Sequence, residues 1–127
     1  MDFGDIQKDK NFAEMRKGKR IDFFSQVFCI KSIYNGETEE YHEPLELTLL
    51  NVSLGGLGIV SDKLFEKGSV LVLRIKLEDV SYEKVTTKVI WNIKKSNKYR
   101  HGLEISNISG RLYSHLSRLD NSITTTV

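Results

Sequence analysis

The chain has 127 residues, 39% hydrophobic and 28% charged, which is enough for one core and too little for two. Its net charge of +2 falls short of a bulk polyanion binder, so any phosphate ligand has to be met by a local cluster. No stretch approaches the roughly 18 apolar residues of a membrane span, and the polar opening MDFGDIQKDK has no apolar leader segment; a cytoplasmic protein with no membrane insertion is expected.

Residues 1–15 carry many charges and little periodicity, as in an arm, with Phe3, Ile6 and Phe12 as docking points. Next comes Met15-Arg16-Lys17-Gly18-Lys19-Arg20, four cations around a glycine. A solvated charge run is one account of it; two arginines four residues apart that wait for phosphate or guanine are the other.

From Ile21 the texture changes to a strand: Ile21, Phe23, Val27 and Cys29 share one parity, and Phe24, Phe28 and Ile30 the other. Cys29 is alone in the sequence, so it forms no internal disulfide and reads as a buried structural thiol. The cluster Tyr34-Asn35-Gly36-Glu37 ends this strand, and Glu37, Glu39 and Glu40 read as an exposed loop. Leu45-Glu46-Leu47-Thr48-Leu49 alternates cleanly, with Pro44 at the strand's first position.

Asn51-Val52-Ser53-Leu54-Gly55-Gly56-Leu57-Gly58 then places three glycines in four positions beside Asn and Ser. Glycine adopts positive φ cheaply and lets backbone or ligand approach closely. Asn51 and Ser53, two apart, project from one face of a strand end. Taken alone, a structural hairpin turn is the better account.

Val70–Leu77 turns Leu71, Leu73, Ile75 and Leu77 inward and Arg74 and Lys76 outward. Val85, Thr87, Val89 and Trp91 share the next parity, and after a polar turn at 94–98 come Tyr99, His101, Leu103 and Ile105, which suits a hairpin. Phe23, Phe24, Phe28 and Trp91 are assigned to the core. Short strands with no intervening amphipathic helix favour an antiparallel barrel or sandwich over any βαβ scheme. A helix is expected over about 109–120, where Ile108, Leu112, Leu116 and Leu119 recur at helical spacing behind Ser109 as N-cap, lidding the sheet.

His42, His101 and His115 show no metal-ligand spacing, the carboxylates form no acid/base pair, and no nucleophile stands out. A non-enzyme with no metal or cofactor is expected.

The run RKGKR (Arg16 to Arg20), then NVSLGG (Asn51 to Gly56) about thirty residues on, in a β-rich chain with a C-terminal helix, resembles the PilZ family of bacterial receptors for the second messenger cyclic di-GMP. The family's RxxxR and D/N-x-S-x-x-G motifs are both matched, and Val89-Ile90-Trp91 and Tyr99 to Ile105 are similar to its last two strands. The resemblance covers about 14–120.

It implies a small six-stranded antiparallel PilZ-type barrel, split-barrel-like, over 16–121, with 122–127 as a tail. It implies cyclic di-GMP bound by Arg16, Arg20, Asn51, Ser53 and Gly56; beside it, the residues' own chemistry offers Met15, Lys17, Lys19 and Gly55 as further contacts, with plain packing as the other account of Met15. The arm around 8–20 is expected to order over the barrel with ligand and change a surface offered to a protein partner in motility or biofilm control, with no DNA or RNA involved. The competing reading is a PilZ-like adaptor that binds a protein partner without nucleotide.

Overall fold

Six strands and one helix make up the described part of the chain, a computed structural model that covers residues 20–125, with side chains from 20 to 120. The strands are β1 (Ile21–Tyr34), β2 (Glu37–Ser53), β3 (Gly56–Ser61), β4 (Val70–Leu77), β5 (Val80–Lys95) and β6 (Lys98–Ile105), followed by α1 (Gly110–Thr125). They pair antiparallel into a closed barrel in the order β1-β2-β3-β6-β5-β4. Closure removes the unpaired edges that an open sheet would expose.

Tight turns connect the hairpins. Asn35 and Gly36 both take positive φ (52° and 78°) between β1 and β2, the pattern that an Asn-Gly hairpin turn requires. The alternation expected in β4 is realised, with Leu71, Leu73, Ile75 and Leu77 all buried. Val27, Leu49, Ile59, Val89 and Leu103 meet them inside the barrel. Cys29 belongs to this core, and burial pushes its thiol up to about 11, which leaves an inert small hydrophobe.

Several sequence expectations are corrected. Glu37 to Glu43 is not a loop but the exposed first half of β2, paired with the end of β1. Pro44 therefore lies inside β2 rather than at its start. It fits there because the ladder is interrupted: Cys29 pairs with Leu45, but Lys31 pairs with Glu40, and a proline without an N–H is tolerated at such an irregularity. Phe24 is 74% exposed, and Phe23, Phe28 and Trp91 are only partly buried. Phe24 sits on the parity opposite to the buried Ile21, Val27 and Cys29 and therefore on the outer face of β1, while an irregularity in β5 after Val89 shifts Trp91 off the buried parity of Val85 and Val89.

α1 begins where expected, with the Ser109 hydroxyl accepting the Leu112 N–H at 3.1 Å, but it runs five residues beyond 120. Leu112 and Leu116 bury its apolar face. His115 shares that face and is tethered at both ring nitrogens, Nδ1 to the Tyr82 hydroxyl and Nε2 to Glu78 Oε1, each at 2.6 Å. Tyr82 lies on β5 and Glu78 in the β4–β5 turn, so the pair of bonds fixes the helix to that hairpin. No helix among the described residues is long and apolar enough to cross a membrane.

Candidate functional site

The outer face of the barrel carries a four-strand row built by register. Asn51 on β2 pairs with Gly58 on β3, Gly58 with Gly102 on β6, and Gly102 with Trp91 on β5. Two glycines at the centre let the Asn51 amide and the Trp91 indole lie down onto the sheet, which keeps the row a shallow trough. Each larger side chain leans onto the glycine beside it: a Cβ on Gly58 would lie 2.6 Å from Asn51 Oδ1, and one on Gly102 only 2.0 Å from Trp91 Nε1. Two residues further along each strand, Ser53 pairs with Gly56 and Gly56 with Glu104. The trough opens into a cavity of about 420 Å³, with Arg20 and Tyr113 also on its walls.

The glycines do this by permitting close approach. None of Gly55, Gly56 and Gly58 has positive φ; the two described glycines that do are Gly36 and Gly68. At Gly56 a Cβ would meet the Leu103 carbonyl oxygen at 2.6 Å, and that backbone cannot yield, because β3 and β6 are paired there. Gly55 has open space around it.

Asn51, Ser53, Gly55 and Gly56 all line this cavity, and Arg20 stands at its rim at the entry to β1. The structure thus brings the second motif and the last residue of the first together. Met15, Arg16, Lys17 and Lys19 lie outside the described residues, as do Phe3, Ile6 and Phe12 of the arm. Sequence reasoning missed Gly58, Trp91, Arg100, Gly102, Glu104 and Tyr113 as cavity residues. The glycine at 58 was visible in the quoted stretch, but its partner in the row is fixed by β3–β6 pairing, which no local pattern reveals.

Beneath the trough, His101 faces the core. Its Nε2 accepts the Phe65 N–H at 3.0 Å, so Nδ1 carries the proton of the neutral ring, and that atom is buried without a partner among the described residues. Burial pushes the imidazole down to about 4. Phe65 is held from its other side by Asn92, whose Nδ2 donates to the Phe65 carbonyl at 3.1 Å. The 62–69 connection is thereby pinned to β5 and β6 directly below the site.

Tyr82, His115 and Glu78 form the one described tyrosine–histidine–carboxylate chain, but none of the three lines the cavity and Tyr82 is 8% exposed. It tethers the helix and offers no nucleophile to a substrate. Among the described residues no group of three or more His, Cys, Asp or Glu could hold a metal ion.

Trp91 is the sole tryptophan, which makes the trough directly observable. Gly102→Ala is expected to push the indole off β6, shifting its fluorescence emission to the red and lowering stability by about 1–3 kcal/mol, as overpacking does. An unchanged emission spectrum would mean that Trp91 does not rest on Gly102.

Residues 14–119 match the family model of the PilZ domain. Two solved structures share the fold. One is YcgR from Escherichia coli in complex with c-di-GMP, 18% identical with a TM-score of 0.62, covering 88% of this chain and 47% of that one. The other is the PilZ domain of the same protein with c-di-GMP, 16% identical with a TM-score of 0.57, covering 88% of this chain and 93% of that one. The chain thus spans less than half the length of the full YcgR chain it matches. No curated protein matches in sequence.

Proposed function

The chain belongs to the PilZ domain family, and on that premise we propose that it binds cyclic di-GMP in the trough between Asn51 and Trp91 and passes the signal to a protein partner. The observation that carries this reading is the convergence of Arg20, Asn51, Ser53 and Gly56 on one 420 Å³ cavity, although Arg20 and Asn51 are separated by thirty residues of sequence. Support also comes from the two YcgR structures of the same fold, both holding c-di-GMP.

The roles follow from chemistry. Arg16 and Arg20 each present a planar fork that meets two phosphate oxygens or the O6 and N7 acceptors of guanine. Asn51 and Ser53 hydrogen-bond the ligand from the barrel, and Gly56 keeps the turn low enough for it to settle. Gly55 adds an exposed backbone contact; Lys17 and Lys19 add a screened attractive field, and Met15 a polarizable one. Ligand binding orders the arm around 8–20 across the barrel, and the surface so formed is what the partner reads.

Calorimetric titration with cyclic di-GMP, with GTP as control, tests this. Micromolar or tighter binding, about −8 kcal/mol, is expected, together with slowed amide exchange across residues 8–20. Absence of heat and of any shift in melting temperature at saturating ligand would leave a nucleotide-independent adaptor instead.

A further inference from the structure

β6 presents Arg100, Gly102 and Glu104 at successive outward positions, and all three line the cavity. Adjacent positions on one strand face are about 6.6 Å apart, so Arg100 and Glu104 flank Gly102 at opposite ends of a span of about 13 Å. Trp91 rests on that backbone and supplies an apolar floor. Arg100 Nε is buried and has no hydrogen-bond partner among the described residues. A buried donor left in this way is costly until an acceptor reaches it.

We propose that this strand is a guanine-reading subsite, resting on the reading that cyclic di-GMP is the ligand. One guanine of the ligand lies against the Trp91 indole that covers Gly102, Arg100 forks onto its O6 and N7, and Glu104 accepts from its exocyclic amine. Guanine carries acceptors on one edge and donors on the other, which matches cation and anion at the two ends of the span. Adenine would turn its N6 amino group, a donor, toward the Arg100 donors. A phosphate suits the subsite poorly, because Glu104 would repel it; the phosphates belong to the Arg20 side. The basis of base selectivity therefore lies on β6, outside both sequence motifs.

The test is titration of the whole chain with cyclic di-GMP and with its adenine counterpart, cyclic di-AMP, in the unaltered protein and in Arg100→Lys and Glu104→Ala. The unaltered protein is expected to prefer the guanine ligand by about 5- to 150-fold, the discrimination of one bidentate pair. Arg100→Lys keeps the charge and loses the fork, so its preference should fall to within about threefold. Glu104→Ala should weaken cyclic di-GMP at least fivefold and leave cyclic di-AMP unchanged. Both side chains project outward, so melting temperatures are expected to stay close to that of the parent. Retention of the full preference in Arg100→Lys, or equal loss of both ligands in Glu104→Ala, overturns the subsite while the receptor reading stands. Failure of the unaltered protein to bind cyclic di-GMP overturns both.

Discussion

Replacing Arg16 and Arg20 together by alanine is expected to weaken cyclic di-GMP binding by about 10²- to 10⁴-fold, enough to abolish it at micromolar ligand. Each charge-assisted hydrogen bond contributes about 1.5–3 kcal/mol, and 1.4 kcal/mol is tenfold in affinity. Either single substitution should accordingly cost about ten- to a hundredfold. Arg20 stands at the cavity rim and is exposed, so its removal leaves no hole in the core and the barrel should melt as the parent does. Lysine at either position tests the fork separately from the charge: a point charge recovers part of the attraction but not the paired geometry. Raising the salt concentration should weaken the parent more than the double variant. Full affinity in the double variant would move the ligand contacts to other residues and leave the match to the first motif without a role.

What the sequence disclosed and what it hid divide along one physical line. Inward alternation in β4 was legible because nothing interrupts a period of two over Leu71, Leu73, Ile75 and Leu77. The Ser109 cap was legible because a side-chain oxygen at that position has one local use. Trp91 was misplaced because a register shift after Val89 moves it to the outer face, and a bulge leaves no signature in residue type. The candidate site was half visible. Asn51, Ser53 and Gly56 are close in sequence and make a motif, whereas Gly58, Gly102 and Trp91 meet only through pairing of β3, β6 and β5. His115 was likewise hidden, since its partners Tyr82 and Glu78 lie on another hairpin.

Acid should destabilise this barrel through His101. The ring is fully buried, and its pKa is lowered from 6.5 to about 4 by that burial. Below pH 6.5 the unfolded chain takes up a proton that the folded chain refuses until about pH 4, so the contribution is whole above 6.5 and falls away as pH drops through that window. With about 1.4 kcal/mol per unit of pKa difference, the loss amounts to about 3 kcal/mol. Denaturant melts at pH 7 and pH 4, compared between the parent and His101→Gln, isolate it, because the remaining titrations are common to both and cancel. Glutamine can still accept the Phe65 N–H but does not titrate, so the variant should lose about 3 kcal/mol less than the parent over the same interval. Equal losses would show that His101 is protonated without penalty in the fold. The same proton has a local consequence. Taken up at Nε2, it displaces the Phe65 N–H and frees the 62–69 connection beneath Gly102. Ligand affinity should then decline with acid in the parent before global unfolding, and not in the glutamine variant.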